Sequence, residues 1–139
     1  MQRPRRVAQI IHLRPAAIEA YKECHAKVWP EVLQQIYDCN LRNYSIFFDN
    51  DRTLFAVFEY VGEDFKLDMA KMKANSKVRE WWNMTDAMQV WQSFLLSRGE
   101  KDRIVSILIF TKESLIFGAT GSADGPGWWK DLDEVFHVD

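Results

Sequence analysis

The sequence has few of the residues that bind metals or cross-link chains. Its 139 residues include only two cysteines and three histidines. Cys24 and Cys39 lack CxxC spacing and the histidine partners of a structural zinc site, and they give no disulfide framework. We therefore expect both thiols to be reduced and partly buried, and we expect no metal site.

The sequence also lacks a strong charge bias and a long apolar run. Its formal net charge is −2, and Arg3, Arg5 and Arg6 form its only basic cluster, so nucleic acid is not an expected partner. Polar residues interrupt the segment Ile104 to Phe117, and the apolar stretch Val7 to Leu13 is too short and broken for a signal peptide. We expect a cytoplasmic protein with no membrane contact.

Common catalytic motifs are missing as well. The chain has no GxSxG, Walker-type, GxGxxG or HExxH sequence, and its histidines, His12, His25 and His137, are widely separated along the chain. His12 and His137 fall in predicted strands, where a hydrogen-bonded structural role is the simpler interpretation. We expect no cofactor.

Aromatic residues, by contrast, are abundant. They make up 14% of the chain and include six tryptophans, within 47% hydrophobic residues overall. Tryptophan is common where proteins bind sugar rings or protein partners, although a small tryptophan-rich core is an equally simple explanation. The length and composition are typical of a single folded domain, residues 1–139.

Hydrophobic periodicity predicts the order βα-ββ-α-β, which is that of a ferredoxin-like α+β plait. Ser76 is a candidate N-cap for the last helix. The predicted strands are Arg6–Leu13, Asn43–Phe48, Thr53–Tyr60 and Asp133–Val138. The predicted helical segments run from Pro15 to Pro30, from Pro30 to Cys39, from Glu63 to Met72 and from Ser76 to Met88.

The two central strands carry apolar residues on both alternations. In the first strand Tyr44 and Ile46 point to one face and Phe47 points to the other. Apolar residues likewise occupy both faces from Leu54 to Phe58. Both faces of the sheet should therefore avoid water, and a homodimer with its sheets packed face to face would satisfy this. Residues 90–117 are not needed by the plait, so we interpret them as an insertion.

One helical stripe carries groups suited to proton transfer. Tyr21, His25 and Trp29 follow one another at four-residue steps, which places them on one face of a helix. A phenol and an imidazole one turn apart suit general acid–base chemistry at neutral pH. A structural role in a core or interface is the competing interpretation.

Two tryptophan pairs are candidates for ligand contact. Trp81 and Trp82 lie on a predicted helix and point about a hundred degrees apart, so one of them can face a cleft. Trp128 and Trp129 follow a glycine-rich loop, where we expect them to dock against a dimer partner.

Together these motifs resemble the L-rhamnose mutarotase family. The resemblance covers about Arg6 to Gln89, resumes near the C-terminus, and is specific because H-x3-WPE and WW-x-MTD occur in one short chain. The motifs are Tyr21-x3-His25-x3-Trp29-Pro30-Glu31, Asn43-Tyr44-Ser45-Ile46, Trp81-Trp82-Asn83-Met84-Thr85-Asp86 and Glu134-Val135-Phe136.

The resemblance implies a dimeric ferredoxin-like barrel that interconverts the α and β anomers of L-rhamnose, or a related 6-deoxy sugar, by acid–base ring opening. It implies that His25 is the proton donor, helped by Tyr21. It also implies that the sugar contacts Tyr21, Tyr44, Trp81 and Trp82. The alternatives are a cofactor-independent monooxygenase, a haem-degrading enzyme, and a non-catalytic dimeric module.

Overall fold

A computed structural model describes residues 3–90, 121–122 and 127–139, which form one antiparallel sheet with helices across one face. None of the helices in this described part is long and apolar enough to span a bilayer. The strands are β1 (Arg5–Leu13), β2 (Leu41–Phe48), β3 (Thr53–Tyr60), β4 (Gln89–Val90) and β5 (Lys130–Leu132); the helices are α1 (Ile18–Ala26), α2 (Pro30–Asp38), α3 (Phe65–Ala74) and α4 (Ser76–Asp86), and a 3-10 turn covers Pro15–Ala17.

The strands are arranged in the order β2-β3-β1, and both β4 and β5 pair with the other edge of β1. All of these pairs are antiparallel. The predicted α+β class is confirmed, as is the β2–β3 hairpin, whereas closure into a dimeric barrel stays a prediction. The predicted insertion, apart from Val90 in β4, lies outside the described residues.

Two groups of buried side chains hold the helices against the sheet. One lies under α2, α3 and α4 and includes Leu41, Phe58 and Val78. The other lies near α1 and includes Ile11 and Leu54, which are at most 1% exposed. Burying each such aliphatic side chain stabilises the fold by about 1.5–3 kcal/mol.

A bulge in β2 changes which side chains face the helices. Between Arg42 and Ser45, β2 advances three residues while β3 advances two, and the left-handed backbone of Asn43, with φ of 49°, accommodates the extra residue. Side chains alternate along a strand, so one extra residue shifts the alternation. Leu41 and Tyr44 therefore face the same side.

The turn between β2 and β3 is fixed by one carboxylate. Asp49 Oδ1 accepts hydrogen bonds from the backbone amides of Asp51, Arg52 and Thr53 at 2.8–2.9 Å. These donors favour the ionised form and lower the pKa of Asp49 to about 2. Asn50 adopts the left-handed conformation that the tight turn requires.

A second carboxylate, Asp68 in α3, is buried in the larger core. It accepts hydrogen bonds from Tyr60 Oη at 2.7 Å, Asn40 Nδ2 at 2.8 Å and Lys71 Nζ at 3.0 Å. These hydrogen bonds, with Tyr60 contributing most, lower the pKa of Asp68 to about 2. Its oxygens are engaged in holding α3 to the sheet, so its role is structural.

The predicted stripe along the first helix is wrong at its C-terminal end. The helix ends at Ala26, and Trp29 has extended backbone as the N-cap of α2. Proline disfavours helical backbone in the residue before it, so Trp29 cannot continue the turn that carries Tyr21 and His25.

The predicted closing strand is also wrong. The observed strand is β5, and residues 133–139 form no regular structure. Beyond Leu132 the tail contacts β1 through the Arg6–Glu134 ion pair at 2.8 Å, while Val135 and Phe136 remain exposed. His137, predicted in that strand, contacts Asp139, whereas His12 does lie in β1 and is 3.1 Å from the Thr53 hydroxyl, as predicted.

The N-cap of α4 is Asn75 rather than the predicted Ser76. Asn75 has extended backbone, and its Oδ1 accepts hydrogen bonds from the amides of Lys77 and Val78 at 3.0 and 3.1 Å. Its amide nitrogen also donates to Gln35 Oε1 at 3.0 Å, which ties the start of α4 to α2.

We expect Asn75→Ala to lower the free energy of unfolding by about 1 kcal/mol because two helical amides lose their acceptor. Ser76→Ala, the matched control, should change it little, and Asn75→Asp should retain most of the cap. Urea denaturation of the three variants measures these differences. A larger loss for Ser76→Ala than for Asn75→Ala would show that the cap is wrongly assigned.

Candidate active site

A cavity of about 740 Å³ lies between the helices and the inner face of the sheet. This volume is within the usual range for small-molecule sites, roughly 300–1,000 Å³. Its lining is largely apolar and aromatic. The ring-bearing residues that face it include His25, Tyr44, Trp81, Trp82, Trp128 and Trp129.

One ring nitrogen of His25 is engaged by the backbone. His25 Nδ1 lies 2.9 Å from the carbonyl oxygen of Tyr21, one helical turn earlier. A carbonyl can only accept, so Nδ1 carries the proton and neutral His25 leaves Nε2 as a proton acceptor. Burial lowers the pKa of His25 below its ordinary value, so the neutral form prevails at pH 7.

Tyr21 lies behind His25 rather than on the wall of the large cavity. Its ring stacks on the imidazole with centroids 4.0 Å apart, and both residues line a smaller adjoining cavity of about 280 Å³. Burial is the main cause that raises the pKa of Tyr21, and the nearby Tyr44 hydroxyl adds to it. Tyr21 is therefore a protonated phenol at any physiological pH.

Tyr44 faces the cavity from β2, where the bulge directs it inward. Its ring stacks on Phe58 with centroids 5.2 Å apart. Although the residue as a whole is 40% exposed, protein atoms surround its hydroxyl, and this desolvation raises the pKa of Tyr44 to about 12. Tyr44, like Tyr21, is therefore a protonated phenol, and it faces the cavity.

The two tryptophans of α4 have different environments. Trp81 is 6% exposed and meets His25 and Trp29 edge to face, each with centroids 5.2 Å apart. Trp82 is half-buried and packs against the larger core cluster. Trp29 therefore supports the site through Trp81, although it lies outside the helix that carries His25.

The predicted docking of Trp128 and Trp129 against a dimer partner stays a prediction, but the structure gives both side chains a place within their own chain. Both pack against the core cluster of their own chain and line the cavity. The indole nitrogen of Trp128 donates to Gln89 Oε1 at 2.9 Å. Gln89 was not a candidate from the sequence, because a lone glutamine at the end of a helix carries no recognisable signal.

Two polar contacts that involve residues of the cavity lining were also missed. Gln9 in β1 donates to Asp131 in β5 at 2.7 Å, and both line the cavity. Asp86, from the MTD motif, accepts hydrogen bonds from the Ser122 amide at 2.8 Å and hydroxyl at 2.5 Å. The pairs are separated by 122 and 36 residues, so only the folded chain reveals them.

Among residues 3–90, 121–122 and 127–139, no group of three or more His, Cys, Asp or Glu side chains is placed to hold a metal ion. Within these ranges both cysteines are free, and Cys24 Sγ lies 3.3 Å from His25 Nδ1. Burial raises the pKa of Cys24, which favours the thiol form.

Taken together, His25, Tyr44, Trp81 and Trp82 line one cavity, as predicted, and Tyr21 stacks directly behind the imidazole. The site thus combines a neutral imidazole with an open nitrogen, two protonated phenols and an aromatic wall. This set can exchange protons with a neutral polar ligand whose rings or methyl groups pack on tryptophan.

Comparison with known proteins identifies several relatives of this chain. L-rhamnose mutarotases from Formosa agariphila and Phocaeicola vulgatus are 39% and 36% identical, over 61% and 62% of this chain and 81% and 82% of their own lengths. The fold is similar to that of a crystal structure of the L-rhamnose mutarotase from Formosa agariphila, with a TM-score of 0.62, 24% identity and coverage of 97% and 99% of the two chains. The family model for L-rhamnose mutarotase matches residues 6–138, and the chain therefore belongs to the L-rhamnose mutarotase family of isomerases.

Proposed function

We propose that this protein interconverts the α and β anomers of L-rhamnose, or of a closely related 6-deoxy hexose, by acid–base ring opening. The observation that carries the proposal is the convergence of His25, Tyr44, Trp81 and Trp82 on one cavity, with Tyr21 stacked on the imidazole. Membership of the family supports the substrate class. The expected cytoplasmic location stays a prediction.

Ring opening needs a base at the anomeric hydroxyl and an acid at the ring oxygen. In the proposed reaction Nε2 of neutral His25 removes the hydroxyl proton, and the electron pair left on that oxygen forms the carbonyl. The bond between C1 and the ring oxygen breaks, and the imidazolium returns the proton to the ring oxygen. After rotation of the aldehyde, the reverse steps close the ring on the other face.

His25 thus acts as base and then as the proton donor that the family resemblance implies. The hydrogen bond from Nδ1 to the Tyr21 carbonyl supports this role, because it holds the imidazole in the tautomer that presents Nε2. The same bond stabilises the transient imidazolium. Stacking on Tyr21 fixes the plane of the ring.

The remaining groups suit recognition of a sugar. The protonated phenol of Tyr44 can donate to a sugar hydroxyl, and the Gln9–Asp131 pair at the cavity wall offers further polar atoms. The indoles of Trp81 and Trp82 suit the C–H face of the ring and a C6 methyl group. An apolar wall of this kind favours a deoxy position over a hydroxyl, which would lose hydrogen bonds to water there.

We also propose a homodimer formed through the outer face of the sheet. Residues directly opposite one another in adjacent strands point to the same face. Phe47, Phe55 and Ile10 form one such row, and Val57, Ala8 and Leu132 form the next. Phe47 and Phe55 are 61% and 39% exposed in the single chain, and a second copy would cover this apolar surface.

The first test of the proposal is His25→Ala. Loss of the acid–base group should reduce the catalysed anomer-exchange rate by about 10²–10⁴-fold while the chain stays folded. Saturation-transfer NMR on a panel of free sugars measures that rate, and L-rhamnose should respond most strongly. His12→Ala removes an imidazole outside the cavity and should keep the wild-type rate. Wild-type exchange in His25→Ala would refute the assigned role.

The pH dependence of the rate provides a second test. Because burial lowers the pKa of His25, the neutral base should be present at pH 7 and should be lost only below pH 6.5, as the pH falls through the lowered value. The catalysed rate, after subtraction of the spontaneous rate, should therefore be flat from pH 7 to 9 and fall on acidification. The pKa of Tyr44, about 12, predicts no loss near pH 9. A rate that rises on acidification would contradict a neutral base.

The third test concerns assembly. The wild-type protein should have the mass of a dimer by light scattering at micromolar concentration. Phe55→Lys places a charge in the apolar row and should shift the mass to that of a monomer. Leu67→Lys, at an exposed position on α3, is the control and should stay dimeric. A monomeric wild-type protein would exclude the proposed interface.

A further inference from the structure

A pair of polar side chains lies on the sheet side of the cavity. Gln9 of β1 and Asp131 of β5 are directly opposite one another in the antiparallel pairing, and both line the cavity. On its other side Gln9 pairs with Ala56 of β3, which is fully buried. Because opposed residues in neighbouring strands point to the same face, Gln9 and Asp131 belong to the face of the sheet that the helices cover.

One hydrogen bond fixes how this pair is presented to the cavity. Gln9 Nε2 donates to Asp131 Oδ1 at 2.7 Å. A carboxylate can only accept, so the nitrogen end of the carboxamide must face Asp131, and Gln9 Oε1 is left as a further acceptor. Within the part of the chain that the structure describes, no other group is hydrogen-bonded to the Asp131 carboxylate. Its second oxygen is therefore available to a ligand.

Asp131 differs in charge from the other residues of the cavity. Among the described side chains that line it, Asp131 alone carries a carboxylate, whereas Arg5, Lys66 and Lys73 are cations that can only donate hydrogen bonds. A sugar hydroxyl that leaves water needs an acceptor for its hydrogen, and an ionised acceptor forms a stronger hydrogen bond than a neutral one. Asp131 is thus the strongest acceptor that this lining offers to a sugar.

Trp129 can supply the apolar part of the same binding position. It lies two residues before Asp131, lines the cavity as well and packs against the core cluster near α1. An indole ring suits the C–H face of a pyranose, and a carboxylate suits the hydroxyls at the edge of the ring. The two side chains are therefore complementary to the two chemically different surfaces of a sugar.

We propose that Asp131, held in place by Gln9, is a specificity-determining residue that binds two adjacent ring hydroxyls of the sugar other than the anomeric one. The proposal rests on the proposed mutarotase function, in which His25 of α1 acts on the anomeric hydroxyl from the helical side of the cavity. The two oxygens of a carboxylate can accept from two neighbouring hydroxyls at once. Such bonds form equally in the bound sugar and in the transition state, so they should lower KM rather than raise kcat.

The test compares anomer exchange of L-rhamnose with that of its 2-, 3- and 4-deoxy derivatives over a range of sugar concentrations. In the wild type, removal of either of two adjacent hydroxyls should raise KM, because the Asp131 carboxylate then lacks a donor. Asp131→Ala should raise KM for L-rhamnose roughly 10–100-fold, the effect of losing hydrogen bonds to a charged group, and kcat should change less. In this variant the same two deoxy sugars should have the KM of L-rhamnose.

Three further variants separate this role from a general disturbance of the segment. Asp133→Ala, the matched control, removes an exposed carboxylate that does not line the cavity and should keep the wild-type KM. Gln9→Ala leaves the carboxylate but removes the group that holds it, so KM should rise less than in Asp131→Ala. Asp131→Asn retains the size of the side chain and serves if Asp131→Ala does not fold. It should also lose the discrimination, because the group that it presents to the sugar is a donor.

A wild-type KM in folded Asp131→Ala or Asp131→Asn would overturn the specificity role. The same conclusion follows if either folded variant still discriminates among the deoxy sugars as the wild type does, since a purely structural defect raises KM without regard to single hydroxyls. A wild-type protein that exchanges no sugar anomers would instead overturn the proposed function itself, so the two failures are distinguishable.

Discussion

The same face of the sheet has to pack against the helices in the hydrophobic core and also line the cavity that holds the reactive polar groups. The structure resolves this conflict by placing a core cluster at each end of the sheet, around Leu41 and Val78 at one end and Ile11 and Leu54 at the other. The cavity lies between them, where Val7, Tyr44 and Ile46 line its floor. The imidazole of His25 and the hydroxyl of Tyr44 are thereby removed from water, while the apolar packing of the two core clusters is kept.

That placement explains the electrostatics of the site. Burial, rather than a neighbouring charge, is the main cause of the shifts of three side chains: the pKa of His25 is lowered, and the pKa values of Tyr21 and Tyr44 are raised. All three are therefore neutral at the same pH. Neutral groups suit a reaction on an uncharged sugar, in which protons move but no ion is bound or released.

Much of this arrangement could be predicted from local patterns in the sequence. The alternation of Tyr44 and Ile46 predicted that these two residues share one face of β2, and the motifs around His25 and Trp81 predicted residues that do share one cavity. The limits of single elements were harder to predict. Asn75 and Ser76 are both good capping residues, and only the backbone conformation decides between them. The four-residue spacing suggested that Trp29 continues the first helix, whereas Pro30, which disfavours helical backbone in the residue before it, indicates the observed end.

The features that could not be predicted depend on contacts between distant parts of the chain. Gln89 and Trp128 are 39 residues apart, and their hydrogen bond has no local signature. The pattern of apolar residues after Leu132 resembles a strand, but strand formation needs a partner with free backbone groups as well as a pattern. The tail beyond β5 meets β1 by side chains, through Arg6 and Glu134.

The way in which β4 and β5 share one edge has a consequence for how such a protein can evolve. Gln89 and Val90 are anchored beside Leu13 and His12, and Lys130 to Leu132 are anchored beside Ile10 to Ala8 of the same strand. Both ends of the intervening sequence are thus fixed by pairing that does not depend on its length. Closing a longer connection costs entropy that grows only logarithmically, about 0.6 kcal/mol per doubling. Genes encoding this fold can therefore change the length of the region between the two anchors at a small entropic cost, provided that Ser122, Trp128 and Trp129 keep their contacts with Asp86, Gln89 and the core.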